Sequence, residues 1–383
     1  MPVTTSPIRE IQIVAVGDQR DTANRGGWPV QERAEQRIKA AFISRGCTVT
    51  RAHDFDPNRG HGFINSQEMG NRVFRSVDPD KPLGVISTAW GYADFVLGNL
   101  ARHRGPILNL GNFEPDNPGL VFLLSLNGGM KRFGIPYSTT WSEKFDDAFF
   151  NKGLNQWLRG ETITHDTSHI TPFSDLKLPG EIIDKGTDFA GRFMRRMRIY
   201  GLFDEHCMGM EHAVFPDELL WPMGISKQYM SQSTLAYETQ RVNDGDAWEV
   251  YNWLLLRGMK FELGPDEETD LTENQVLIQC KMYIAAVRLA KANGFAAIGI
   301  QYQQGLKDSL PASDLVEGLL NQTDRPPVYD EKTGEVLFAG SAIPHANEVD
   351  EMAGIDGLVS YHLWRELGIP ADNTNHDLRW GAV

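Results

Sequence analysis

Two carboxylates in the last tenth of the chain are the side chains best suited to chemistry. Glu348 lies in the segment NEVDEMAG, just before a predicted helix, and Asp377 lies in the segment HDLRW. Hard divalent cations such as Mg²⁺ and Mn²⁺ prefer oxygen ligands of this kind, so the residue types permit a metal site. They also fit ordinary structural roles, in which Glu348 lies at the positive end of a helix and Asp377 pairs with Arg379.

The histidines are weaker candidates for a metal site. His165 and His169 have the four-residue spacing that can hold zinc on a helix, but the Thr, Asp and Ser residues around them favour a solvated loop. His206, Cys207 and His212 are only slightly better placed in sequence. We therefore expect no zinc site at either position.

Familiar nucleotide and hydrolase motifs are absent from the sequence. It has no GxxxxGK[ST] segment, no GxGxxG after the first predicted strand and no GxSxG. A formal net charge of −14, spread over 383 residues, would repel a phosphate backbone and argues against nucleic acid as a partner. The acidic charge fits a small neutral or cationic substrate, or simply solubility.

Cysteine usage and hydropathy predict a cytoplasmic protein. The three cysteines are far apart and odd in number, which fits a reducing compartment better than a disulfide framework. The first residues do not resemble a secretory signal, and no apolar run has the roughly 18–20 residues needed to span a bilayer. We expect no membrane partner.

The elements that would position these residues alternate between strands and helices. This pattern is typical of parallel sheets covered by helices and predicts a Rossmann-like α/β domain over residues 1–170 and a second one over 171–363. In the first domain, strands are predicted at 11–16, 47–53, 83–88 and 106–110, and a helix at 31–45. In the second, helices are predicted at 183–199 and 274–293, a loop at 201–210, a strand at 295–302 and a hairpin at 326–344.

The segment 301–308 begins at the carboxyl end of the strand predicted at 295–302. Ligands of layered α/β folds bind outside the carboxyl ends of the strands, so chemistry is expected there.

Five segments, in this order along the chain, resemble the L-fucose isomerase family. They are STAWGYAD (87–94), CMGM (207–210), IGIQYQQ (298–304), NEVD (347–350) and HDLRW (376–380). The resemblance extends along essentially the whole chain. It implies two Rossmann-like domains followed by the start of a β-rich C-terminal domain at 364–383, the rest of which we expect to be absent.

The resemblance implies a metal-dependent aldose–ketose isomerase that acts on a free monosaccharide through an ene-diol intermediate. Glu348 and Asp377 would bind Mn²⁺, or another divalent cation, and act in catalysis. The residues implied to contact the sugar are Gln303, Trp90, Met208 and Arg20, with the loop lengths around Arg20 differing from the family pattern. Trp90 and Met208 also fit a plain core role.

The family's third metal ligand is a histidine beyond the second carboxylate, and no histidine follows His376 in this sequence. Two alternatives to a free-sugar isomerase therefore stay open: a non-catalytic sugar-binding or assembly subunit, and an isomerase for a substituted sugar such as a sulfonated one. The resemblance also implies a homo-oligomer, a hexamer, with sites shared between subunits.

Overall fold

A computed structural model describes residues 7–87, 90–115, 118–204, 207–303 and 305–373. These residues form two compact units, the first comprising residues 7–176 and Gly209–His212, and the second comprising residues 177–208 and 213–373. Asp377 lies outside the described residues. Within them, no helix has the length and apolar character needed to cross a membrane.

The first unit is a five-stranded, all-parallel sheet with helices between successive strands. Its strand order is β2-β1-β3-β4-β5. Its elements are β1 (Glu10–Ala15), α1 (Asp21–Ile43), β2 (Thr48–Arg51), α2 (Gln67–Phe74), β3 (Leu83–Ser87), α3 (Asp94–Leu100), β4 (Ile107–Asn112), α4 (Leu120–Arg132), β5 (Ser138–Ser142) and α5 (Ala148–Leu158). Strand β4 is buried at every position, as expected for a strand with both faces covered.

The second unit is built on a four-stranded parallel sheet of order β7-β6-β8-β9. Its elements are α6 (Gly180–Met194), β6 (Arg198–Phe203), α7 (Asp217–Leu220), β7 (Ile225–Met230), α8 (Gln232–Arg241), α9 (Asp244–Leu256), α10 (Glu273–Asn293), β8 (Phe295–Ile300), α11 (Asp314–Leu320), β9 (His345–Asn347) and α12 (Glu351–Leu367). Helix α10 begins with a capping box at Thr272 and ends at Gly294 in the left-handed conformation, so the helix predicted at 274–293 is confirmed.

Helix α1 starts ten residues earlier than the sequence predicts, at Asp21 rather than near residue 31. Glycines and Pro29 in this stretch look like helix breakers in isolation. In the fold, Gly27, Val30 and Ala34 are buried on one side of the helix, and this packing outweighs the low helix propensity.

The loop predicted over residues 201–210 is wrong at its start, because residues 201–203 belong to the buried strand β6. A Cβ at Gly201 would lie 2.3 Å from the ring of Phe295 on β8. The glycine thus allows close packing between neighbouring strands rather than a turn. The helix predicted at 183–199 ends correspondingly early, at Met194.

The segments after residue 325 only partly follow the sequence prediction. The predicted hairpin is reduced to a single antiparallel bridge between Tyr329 and Val336, with Gly334 in the turn. Residues 364–367 are the last turn of α12, and Gly368 ends that helix. The described part of the 364–383 segment, up to residue 373, contains no strand, so a β-rich domain is not seen there.

Candidate functional site

The carboxyl ends of three neighbouring strands in the second unit carry the candidate site. The segments that follow β6, β8 and β9 contain, respectively, Met208, Gln303 and Glu348. In a parallel sheet these ends lie along one edge, where open α/β folds bind their ligands. Residues 301–303 and 305–308 therefore lie at this edge, directly after β8, and chemistry there stays a prediction.

Glu348 and Gln303 are brought into direct contact. The side-chain amide of Gln303 donates a hydrogen bond to Oε1 of Glu348, and the hydroxyl of Tyr302 lies 3.4 Å from the same oxygen. Burial raises the pKa of Tyr302 to about 12, so its hydroxyl keeps its proton and acts as a donor. Gln301 completes the group by donating to the backbone carbonyl of Glu348 at 3.0 Å.

The side-chain oxygen of Gln303 is a buried acceptor with no hydrogen-bond donor among the described residues. A buried polar atom of this kind is costly unless a partner is supplied. It lies on the same amide group whose nitrogen is held by Glu348. The arrangement fits a ligand that brings a hydroxyl group next to the carboxylate.

The backbone at the site adopts unfavourable conformations. Glu348 and Val349 are consecutive left-handed residues with φ of 57° and 58°, and Met208 has φ of 45°. Such a conformation costs on the order of 1–3 kcal/mol for each non-glycine residue and persists only where the surrounding contacts enforce it. The buried side chain of Val349 and the neighbouring strand β9 provide two such restraints.

Glu317, on α11, is a second carboxyl group near Glu348, and the charge of Glu348 acts on it. Burial, followed by the charges of Asp314 and Glu348, raises the pKa of Glu317 to about 7. The group therefore changes charge near neutral pH. Nothing in the sequence distinguishes Glu317 from an ordinary exposed helix glutamate.

Replacement of Glu317 by Gln is expected to change how stability depends on pH. Between about pH 4.5 and 7 the folded state keeps the proton of Glu317 whereas the unfolded state releases it. The stabilisation of the folded state by this proton is therefore full below pH 4.5 and is lost as pH rises to 7. The unfolding free energy of the Glu317→Gln variant minus that of wild type should rise by on the order of 2 kcal/mol from pH 5 to pH 8. Urea unfolding at several pH values measures this, with the exposed Glu249→Gln as control. Parallel curves for wild type and Glu317→Gln would contradict it.

Met208 and Cys207 follow β6 and are both buried. Burial, and then the charges of Asp350 and Glu348, raises the pKa of the Cys207 thiol well above its ordinary value. The thiol is therefore protonated and unreactive. Met208 contributes apolar surface beside it, which fits both the wall role and the core role considered from the sequence.

Arg20 and Trp90 belong to the first unit, where they follow β1 and β3, two neighbouring strands. Arg20 is exposed and forms a two-point ion pair with Asp18, with nitrogen–oxygen distances of 2.9 and 2.7 Å. The side-chain amide of Asn24 holds the backbone of Asp18, because it accepts from the Asp18 N–H and donates to the Asp18 carbonyl. Trp90 is half-buried.

Comparison with known proteins does not assign the chain to a family. No protein-family model matches the chain, and a search of curated proteins gave no match.

Among the residues that the structure describes, no group of three or more His, Cys, Asp or Glu side chains is arranged to hold a metal ion. Glu348 and the free oxygen of Gln303 offer hard oxygen donors of the type that Mn²⁺ accepts, while the predicted partner Asp377 lies outside the described residues. His165, considered for zinc, instead contacts the backbone carbonyl of Thr139 at 3.1 Å.

Sequence reasoning missed several residues that shape this site. Gln301 and Tyr302 could have been named, because they lie at the carboxyl end of the strand predicted at 295–302. Lys227 and Glu351, which form a buried ion pair next to the Glu348 segment, carry no local signal, since 123 residues separate them in the chain.

Proposed function

We propose that this protein is a metal-dependent aldose–ketose isomerase acting on a free monosaccharide. The observation that carries the proposal is the contact between Glu348 and Gln303, with the free Gln303 oxygen beside the carboxylate. A sugar hydroxyl satisfies that oxygen by donating to it. The order of the five segments that resemble the L-fucose isomerase family supports the same function, as do two parallel α/β sheets, which we propose to be Rossmann-like.

Glu348 is the proton carrier in the proposed mechanism. Its carboxylate removes the proton from C2 of the open-chain aldose and delivers it to C1, while a hydroxyl proton passes from O2 to O1, which leaves a ketone at C2. Tyr302 and Gln303 hold the carboxylate in one orientation through their hydrogen bonds to Oε1. Gln303 also positions the sugar through its free oxygen.

A divalent cation, proposed to be Mn²⁺, would supply positive charge to two adjacent sugar oxygens and stabilise the ene-diol intermediate. Glu348 is the described residue that would hold it, and Asp377 is the proposed second ligand. Substrate contacts by Arg20, Trp90 and Met208 remain part of the proposal.

An assay of the protein against a panel of pentoses, hexoses and 6-deoxyhexoses tests the function directly. We expect interconversion of at least one aldose–ketose pair with Mn²⁺ and its loss after treatment with a chelator. Sulfonated sugars are included in the panel, since a substituted substrate is the alternative within the same chemistry. Sugar binding without turnover across the panel would favour the non-catalytic subunit.

The homo-oligomer implied by the resemblance is part of the proposal, and helix α6 is where we expect a contact between copies. Helical spacing places Ile183, Ala190 and Met194 on one face, and Ile183 and Met194 are 52% and 48% exposed. The other apolar side of the helix packs inward through Phe193. Such an exposed apolar face is typical of an interface.

A glutamate at position 183 is expected to weaken that assembly, because a charge on an apolar interface is desolvated without a partner. For Ile183→Glu we expect light scattering coupled to size exclusion to show a smaller species than wild type. Lys185→Glu, on the opposite face of α6, serves as the matched control and should leave the mass unchanged. Equal masses for Ile183→Glu and wild type would remove α6 from the interface.

A further inference from the structure

Lys227, on β7, holds an ammonium group that is almost completely removed from water. Its side chain is 2% exposed, and Nζ lies 3.0 Å from Oε2 of Glu351, 3.0 Å from Asp217 and 2.6 Å from the carbonyl of Phe215. These three acceptors match the three donors of an ammonium group. Burial alone would lower the pKa of Lys227, but hydrogen bonds with Tyr229, Asp217 and Glu351 outweigh it and raise the pKa.

Glu351 is the anionic partner and is 1% exposed. Its Oε2 accepts from Lys227 and, at 2.7 Å, from the backbone N–H of Phe215. Glu351 is also the first residue of α12, where a carboxylate is favoured by the helix dipole. The pair therefore fixes the start of α12 to β7 and to the segment that precedes α7.

The start of α12 is only three residues from Glu348. The intervening backbone includes the two left-handed residues Glu348 and Val349, which would relax toward ordinary conformations if one end were released. On the amino side, Asn347 belongs to β9 and contacts Ser313 and Asp314. On the carboxyl side, the ion pair of Glu351 with Lys227 is a buried polar anchor.

We propose that Lys227 and Glu351 are positioning residues that hold Glu348 in its strained, site-facing conformation. Neither side chain is required to touch the substrate. The role of Glu348 as ligand and proton carrier rests on the proposed function, whereas the restraint of its backbone does not. The two parts can therefore be tested separately.

The test uses a double replacement, Lys227→Met with Glu351→Met. Methionine is unbranched and fills the space of either side chain. Apolar replacement of a whole buried ion pair is often neutral or stabilising, so folding should be retained. One positive and one negative charge are removed together, so the local net charge is unchanged. A change in cation affinity then reports geometry rather than the loss of charge.

Two measurements are made on the full chain. Hydrogen exchange, followed by mass spectrometry without metal, reports the amides of residues 345–352. Titration with Mn²⁺ reports cation affinity. In the double variant we expect exchange of that peptide to become at least about 10-fold faster at unchanged global unfolding free energy, and Mn²⁺ affinity to fall about 10–100-fold, as for other residues that orient metal ligands.

A matched control and a milder variant keep the result decisive. Lys281→Met with Asp244→Asn removes another ion pair of the second unit, between α10 and α9, and should change neither measurement. Glu351→Gln, which retains an acceptor for the Phe215 amide, should accelerate exchange in the same peptide to a smaller degree and serves if the double variant does not fold.

The outcomes separate the two claims. Unchanged exchange of residues 345–352 in both variants overturns the positioning role, whatever the protein catalyses. Faster exchange in a protein whose wild type binds no Mn²⁺ supports the restraint and counts against the proposed isomerase instead. Faster exchange with unchanged Mn²⁺ affinity shows that the restrained backbone does not set the geometry of Glu348, which also overturns the positioning role.

Discussion

Replacement of Glu348 by Gln is expected to reduce kcat/KM for aldose–ketose interconversion by about 10³-fold. Removal of a proton-transfer group typically costs 10²–10⁴-fold, and this replacement also removes a negative charge from the proposed cation site. The amide keeps the shape of the carboxylate and can still accept hydrogen bonds from Gln303 and Tyr302. The loss should therefore come from chemistry and cation binding rather than from misfolding.

Steady-state kinetics with Mn²⁺, together with a direct measurement of Mn²⁺ binding, tests this expectation. Glu249→Gln, at an exposed position of α9, removes the same charge elsewhere in the second unit and should retain full activity. Full activity of Glu348→Gln with the metal still bound would mean that another residue is the base.

The second large effect is expected on stability, from the single replacement Lys227→Met. It leaves the carboxylate of Glu351 buried and without its counter-ion, a situation that typically costs about 3–5 kcal/mol of unfolding free energy. Asp217, the other anionic partner of Lys227, is 41% exposed and can be hydrated instead. The cost therefore falls mainly on Glu351.

Urea unfolding of the single and double variants measures this cost. Adding Glu351→Met should restore most of the lost stability. Lys281→Met is the matched control, since its partner Asp244 is 84% exposed, and should cost no more than about 1 kcal/mol. A Lys227→Met variant as stable as this control would show that the buried pair contributes little.

The placement of residues 301–308 after a buried strand was accessible from the sequence. The strand at 295–300 is apolar and follows a capped helix that ends in glycine, so the polar residues after it were expected at a carboxyl edge. This argument predicts the segment 301–308, which contains Gln303, whereas the role of Gln303 as a sugar contact is implied by the family resemblance. The residue type of Glu348 permits a metal site, but a carboxylate before a helix also has an ordinary structural explanation, and the family resemblance is what favours the metal role.

The backbone conformation at Glu348 was not accessible in the same way. A sequence predicts a left-handed backbone conformation mainly at glycine or asparagine. In this chain the two left-handed residues are Glu348 and the β-branched Val349. Their conformation follows from restraints on both sides, β9 on one and the Lys227–Glu351 pair on the other. The elevated pKa of Glu317 likewise depends on burial and on neighbours from other segments.

The sequence by itself determined the alternation of strands and helices, the end of α10 at Gly294 and the segment that follows β8. These features depend on hydrophobic period and on helix capping, which act over a few residues. The tertiary structure alone decided that Gly201 lies within a strand, that Gln303 contacts Glu348, and that Lys227 meets Glu351. Such contacts join residues 45 to 124 positions apart, and their energies come from packing and desolvation that exist only once the sheet has formed.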